Sequence, residues 1–170
     1  MTIEGLELIK KYEGCNLKAY KCSAGIWTIG YGNTTYLNGE KVKEGDVISQ
    51  DEANKLFKDT IDNFEYQVKM ILGDTLKTIL PESAISALVS LAYNIGVSAF
   101  AKSTLLKVIK QNKNNLRDIE FQWLRWNKAG GVILNGLTKR REEEFAIYKR
   151  AVLNQYTVNE RAEFFKCNYI

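Results

Sequence analysis

The sequence contains no histidine, one proline and three cysteines among its 170 residues. Without histidine the chain lacks the side chain that titrates nearest neutrality and the commonest metal ligand. Any acid–base chemistry must therefore come from carboxylates, thiols, tyrosine or lysine. The three cysteines, Cys15, Cys22 and Cys167, are too few and too odd in number for a disulfide framework, and their spacing fits no zinc site. No metal is expected. Long hydrophobic runs are missing too. The longest nearly apolar stretch, 84–97, is interrupted by Ser86, Ser90 and Asn94 and is too short to span a bilayer. Residues 1–12 carry Glu4, Glu7, Lys10 and Lys11, which suits neither a signal peptide nor an anchor. A chain made in the cytoplasm, with no stable membrane insertion, is expected. Lys and Arg are spread along the chain without a basic stripe or reader motif, so no nucleic-acid partner is expected.

What is present is ordinary globular material: 45% hydrophobic residues, 26% charged residues and a formal net charge of +4. That is enough apolar material for a packed core, and the length suits one domain, or one domain built from two lobes. Ile3, Leu6, Ile9 and Tyr12 recur at helical spacing, predicting a first helix that runs to about Tyr12 and stops at Gly14. Residues 17–36 change character, with Tyr, Ile, Trp and Thr punctuated by Gly25, Gly30 and Gly32, and read as short strands and turns. Asn38-Gly39 signals a tight turn. Ser49-Gln50-Asp51-Glu52 is a capping box opening a long helix, whose apolar positions from Ala53 to Ile71 keep a three-to-four spacing until Gly73. After Pro81 everything reads helical, with helices near 82–94, 103–111, 115–126 and 138–152 and a loop at Gly130-Gly131. The expected fold is α+β and mostly helical. Its predicted layout over 1–150 is a small β-hairpin lobe at about 1–50, a connecting helix at about 50–72 and a larger helical lobe at about 74–150. Residues 151–170 read as a C-terminal extension. Two lobes imply a cleft, where ligand sites commonly lie.

The chemistry is concentrated between Glu13 and Gly32. Glu13 closes the first helix, where unpaired carbonyls disfavour a nearby negative charge. That environment suits a carboxyl that must carry a proton. With Ser23-Ala24-Gly25 as a three-residue hairpin loop and Gly25 at positive φ, Cys22 pairs with Ile26 and Tyr20 with Thr28. Strand alternation then places Cys22 and Thr28 on one face as diagonal neighbours, about 7–8 Å apart, with room for a water between thiol and hydroxyl. The plain alternatives are a solvated glutamate, a small core cysteine and an ordinary strand threonine.

Taken together, these residues resemble the active-site motif of the phage-type lysozymes (endolysins) of glycoside hydrolase family 24: Glu, eight residues, Asp or Cys, five residues, Thr. Here the three positions are Glu13, Cys22 and Thr28, and the surrounding Gly14, Leu17, Ala19-Tyr20, Gly25 and Ile29-Gly30-Tyr31-Gly32 also match. Ala92-Tyr93-Asn94-Ile95-Gly96, Ser103-Thr104 and the run from Trp123 to Glu144 extend the resemblance over about residues 3–150. It implies a two-lobed lysozyme fold, a monomeric enzyme needing no cofactor, and the glycan strand of peptidoglycan as partner. The implied reaction is hydrolysis of the β-1,4 bond between N-acetylmuramic acid and N-acetylglucosamine. Glu13 would protonate the leaving oxygen, Cys22 and Thr28 would handle the attacking water, and Thr34, Tyr93 and Asn94 would bind substrate. The implied setting is host lysis, with the enzyme reaching the wall from the cytoplasm through a membrane lesion.

Two departures qualify the resemblance. Many members carry aspartate where this chain has Cys22, and a neutral thiol is a poorer charge stabiliser than a carboxylate. Cys22 is thus open to three roles: base toward water, nucleophile, or a polar group orienting water beside Thr28. It also leaves room for a glycan-binding module that does not cut. The second departure is Asn33, where many relatives place histidine; the change is expected to be tolerated. Arg140 and Arg141, adjacent at a helix start, point in different directions, and one could reach toward Glu13. Trp123 and Trp126 read as core rather than as a substrate platform.

Overall fold

The computed structural model describes residues 1–22, 24–156 and 160. Ser23 of the expected hairpin loop lies outside the described residues, as does most of the expected 151–170 extension. The elements run α1 (Ile3–Glu13), β1 (Asn16–Lys21), β2 (Trp27–Gly30), α2 (Gln50–Ile79), α3 (Glu82–Ile95), α4 (Val97–Lys102), α5 (Thr104–Gln111), α6 (Leu116–Leu124), β3 (Lys128–Ala129), β4 (Val132–Ile133) and α7 (Asn135–Leu153). β1 pairs with β2 and β3 with β4, each as a two-stranded antiparallel hairpin. Two compact units emerge: residues Glu7–Asn63, and Met1–Leu6 together with the chain from Phe64 onward.

Several local features form for the reasons read from sequence. The capping box is reciprocal: Glu52 N–H donates to Ser49 Oγ at 3.2 Å, and Ser49 N–H donates to Glu52 Oε2 at 2.7 Å. Two of the donors left without helical partners at the start of α2 are thereby satisfied. The Asn38-Gly39 turn closes with a 3.0 Å bond from Gly39 N–H to the Tyr36 carbonyl. Other expectations need correction. Gly73 does interrupt the long helix, as expected, but a second helical stretch follows it. It sits at φ 80° and ψ 169°, a kink after which helix resumes through Ile79, because Leu76 and Leu80 supply further buried positions. The chain after Pro81 is not wholly helical, since Gly130-Gly131 turns the β3–β4 hairpin. A short helix, α4, fills 97–102 between Gly96 and the Ser103 cap, and α7 begins at Asn135 rather than near 138.

The core of the Glu7–Asn63 unit centres on Ile29, Val42 and Leu56, with Ala19, Trp27, Tyr36 and Ile48 packed against it. In the other unit α3 is buried along Ala84–Ala92, and α7 carries charges into that interior. Glu144 and Arg141 are fully buried and Arg140 nearly so. The Glu144 carboxylate accepts from Ser90 Oγ at 2.8 Å, Trp123 Nε1 at 3.1 Å, Arg140 Nε at 3.1 Å and an Arg141 terminal nitrogen at 2.8 Å. In the same unit, the amino group of Met1 hydrogen-bonds both oxygens of Glu65 at 2.8 Å, and Lys69 pairs with Glu65 at 2.8 Å. Burial pushes the Glu65 carboxyl up, but the bonds from Lys69 and the amino terminus outweigh it and bring it down to about 2.

Two predictions follow from these charges. Replacing Glu144 by Gln keeps the shape but removes the counter-charge of two buried guanidinium groups, and should cost about 3–5 kcal/mol. Urea unfolding measures this, and a loss below 1 kcal/mol would contradict it. Glu65 titrates lower folded than unfolded, where it sits near 4.3. Its contribution is therefore complete above the unfolded value and lost as pH falls through about 2. Glu65→Gln should be less stable than the parent at neutral pH, with the gap closing in strong acid.

Candidate functional site

The Glu7–Asn63 unit holds all three of Glu13, Cys22 and Thr28. Glu13 is the last residue of α1 and is half-buried. The chain leaves the helix at once: Gly14 takes φ 66° while its N–H bonds the Lys10 carbonyl at 3.0 Å. A Cβ at Gly14 would meet nothing within 4 Å, so glycine is needed there for the left-handed backbone and not for space. β1 starts at Asn16. A single glycine-dependent bend thus joins the carboxyl-bearing helix end to the hairpin.

The hairpin has the register expected from its sequence. Tyr20 faces Thr28 and Lys21 faces Trp27, Cys22 N–H bonds the Ile26 carbonyl at 3.0 Å, and Gly25 turns the loop at φ 75°. An irregularity between Asn16 and Tyr20 shifts the pairing at the far end. Ile29 faces the core while Thr28, by alternation, faces the other way. The hollow of about 330 Å³ lined by Tyr36, Ile48, Leu56 and their neighbours belongs to the Ile29 side and not to the Thr28 side.

Cys22 and Thr28 meet on the Thr28 face. The thiol is held below the ordinary thiol range, first by the Ile26 backbone N–H, then by that of Ala24, and against the upward push of burial. The Thr28 hydroxyl adds a smaller pull in the same direction. Thr28 is buried, and its hydroxyl donates to the Ile26 carbonyl at 3.0 Å. One hydroxyl carries one proton, so Thr28 donates either to that carbonyl or toward the sulfur, and in the first state its lone pairs remain for an incoming donor. The main-chain donors around the sulfur are what sequence reasoning missed. The signal was available in the Gly25 turn, which points the N–H groups of Ala24 and Ile26 inward. Cys15 and Cys22 are both free thiols.

The turn after β2 positions the next expected residue. Ile29 and Asn33 exchange backbone bonds of 2.8 and 2.9 Å, and Asn33 Nδ2 donates to Thr60 Oγ1 at 2.8 Å. Asn33 is thus seated by its amide nitrogen. Thr34 follows with an exposed side chain, its carbonyl accepting from Val42 N–H at 3.0 Å. Tyr93 and Asn94 belong to the other unit, near the end of α3. The Tyr93 ring packs on Phe64 at 5.0 Å between centroids, and Asn94 is exposed. Among the described residues there is no group of three or more His, Cys, Asp or Glu placed to hold a metal ion.

A carboxyl at a helix end, with a thiol and a hydroxyl sharing one hairpin face, is equipment for proton transfer and for holding water. Comparison with known proteins gives the family. The phage lysozyme family model matches residues 10–144. The chain is 41% identical over 152 residues to an endolysin of Acyrthosiphon pisum secondary endosymbiont phage 1, covering 87% of this chain and 97% of that one. It is 40% identical over 146 residues to an endolysin of Bacillus phage B103, covering 85% of this chain and 52% of that longer relative, so it spans about half its length. Among solved structures, an endolysin from Escherichia coli O157:H7 phage FAHEc1 superposes with a TM-score of 0.74 at 34% identity, covering 86% of this chain and 91% of the other. The chain belongs to the phage lysozyme family: it has the lysozyme fold and is a glycoside hydrolase of the endolysin kind, a lysozyme that breaks down peptidoglycan.

Proposed function

We propose that this enzyme hydrolyses the β-1,4 bond between N-acetylmuramic acid and N-acetylglucosamine, with Glu13 as the acid that protonates the leaving oxygen. Cys22 and Thr28 hold and polarise the attacking water. Thr34, Tyr93 and Asn94 contact the glycan, and the protein acts as a monomer on the cell wall. The observation that carries this reading is the shared face of Cys22 and Thr28 in the unit whose first helix ends in Glu13. A carboxylate would stabilise developing positive charge better than a neutral thiol. The main-chain cradle narrows that gap by favouring the thiolate. The thiolate can accept a proton from water while Thr28 orients it, and neither group needs a cofactor for the step. No helix among the described residues is long and apolar enough to cross a membrane.

Cell-wall turbidity assays test the assignment directly. Glu13→Gln should keep the fold and lose about 10²–10⁴-fold in rate, the usual worth of general acid catalysis; a variant retaining a tenth of the parent rate would sink the role. Cys22→Asp should remain active, whereas Cys22→Ala combined with Thr28→Ala should be nearly inactive. Normal lysis by the double variant would show that water is activated elsewhere.

The cradle has its own test. In a chain carrying Cys15→Ser and Cys167→Ser, the pH dependence of Cys22 alkylation should place its pKa below the ordinary value of about 8.5. Thr28→Val should move it upward. A Cys22 titrating at or above the ordinary value would contradict the arrangement.

A further inference from the structure

Gly14 turns the chain between Glu13 and the hairpin, and glycine has the widest backbone freedom of any residue. Space around it imposes no restraint, since a Cβ there would meet nothing within 4 Å. The direction in which Glu13 presents its carboxyl therefore depends on what holds the chain on either side of the bend. Both sides are held, and by the same patch.

That patch follows from helical spacing. Gln50, Asn54 and Phe57 lie at i, i+4 and i+7 of α2 and so share one face. Tyr31, directly after β2, lays its ring against Phe57 with centroids 4.7 Å apart, and both residues are buried. The Tyr31 hydroxyl donates to Asn54 Oδ1 at 3.2 Å. Gln50 Nε2 stands 3.2 Å from that hydroxyl oxygen, 3.2 Å from Asn54 Oδ1 and 3.8 Å from Cys15 Sγ. An amide nitrogen carries two hydrogens, so Gln50 shares them among three acceptors and ties Cys15 to the patch. Upstream of the bend, Lys10 precedes Glu13 by three residues on the same face of α1. Its ammonium lies 5.9 Å from the Tyr31 ring centre and 5.7 Å from that of Phe57. The last turn of α1 and the residue just past the bend thus meet one platform, within a single unit.

We infer that Gln50 is a positioning residue for Glu13: its amide, together with Lys10 over the Tyr31–Phe57 pair, fixes the Gly14 bend and so aims the carboxyl. The inference rests on the acid role proposed for Glu13 and adds to it a residue that acts through the bend. β1 has its own tie to the chain before α2, because Ile48 N–H donates to the Leu17 carbonyl at 2.9 Å. Loss of the Gln50 amide therefore frees the bend and leaves the hairpin in place. Catalysis is sensitive to such slack, since a misplacement of about 1 Å can cost roughly 10²-fold.

The test combines kinetics on solubilised wall glycan with amide hydrogen exchange, both on the full-length protein. Gln50→Ala should lower kcat by about tenfold or more while KM stays within about twofold. It should also speed exchange of the Gly14 N–H, and leave the Cys22 N–H of the hairpin as in the parent. Gln50→Lys, which keeps N–H donors on a long side chain, should restore most of kcat. Cys15→Ala should reproduce the loss, and the double variant should be no slower than the slower single one. Parent-like kcat in Gln50→Ala, a loss carried by KM, or exchange that quickens equally at Gly14 and Cys22 would overturn the positioning role. Glu13→Gln keeps the two readings apart. Normal lysis by that variant removes the acid assignment, and the Gly14 exchange alone then decides whether Gln50 holds the bend. An inactive Glu13→Gln beside a fully active Gln50→Ala keeps the acid and removes the positioning role.

Discussion

The carboxylate of Glu144 is the interaction on which the helical unit depends. It is fully buried, yet four donors from three separate stretches of chain converge on it: Ser90 on α3, Trp123 on α6, and Arg140 and Arg141 on α7. A charge taken out of water this completely is tolerable only when its partners are fixed and its lone pairs are filled. The packing of α3, α6 and α7 must therefore be exact to within hydrogen-bond tolerance. Each of the three elements contributes something the others lack, so the site rewards one arrangement of them over alternatives that bury equal apolar area. Ser90 lies four residues before Asn94, and Trp123 three residues before Trp126, so this network orders the stretches that carry both surface residues.

The two tryptophans at the end of α6 and just beyond it show how little separates core from surface. Trp123 and Trp126 are three residues apart in sequence, and by helical spacing both would face the interior. Trp123 does, packing near Tyr148 and Phe145 with ring centroids 5.4 and 6.1 Å away. α6 ends at Leu124, however, and Arg125 caps it. Trp126 thus leaves the helical register and is only half-buried. The end of a helix, rather than any special residue type, makes the difference.

The hairpin and the long helix were legible because their signals are local and redundant. Gly25 and the alternation around it determine the pairing of Cys22, Tyr20 and Thr28. Ser49 and Glu52 mark the start of α2 by chemistry that needs no tertiary partner. Gly73 was harder, since a glycine followed by polar residues reads the same at a stop and at a kink, and only the burial of Leu76 and Leu80 separates them. β3 and β4 are two residues each, too short for alternation to register. The burial of the charged run from Arg140 to Glu144 was not legible, because sequence alone does not reveal that Arg141 and Glu144 point inward together. The candidate site was legible as residue identities. Its main-chain component was not, because N–H groups leave no trace in composition.

That main-chain component has a consequence for how the hairpin tolerates change. The donors that favour a negative charge at position 22 are peptide N–H groups of Ala24 and Ile26, and both side chains there are exposed. Such a seat is indifferent to which side chains decorate the loop, provided Gly25 keeps its turn. Peptide N–H groups can donate to a negatively charged oxygen as they do to a thiolate. A carboxylate carried at position 22 would meet the same peptide donors that now favour the thiolate.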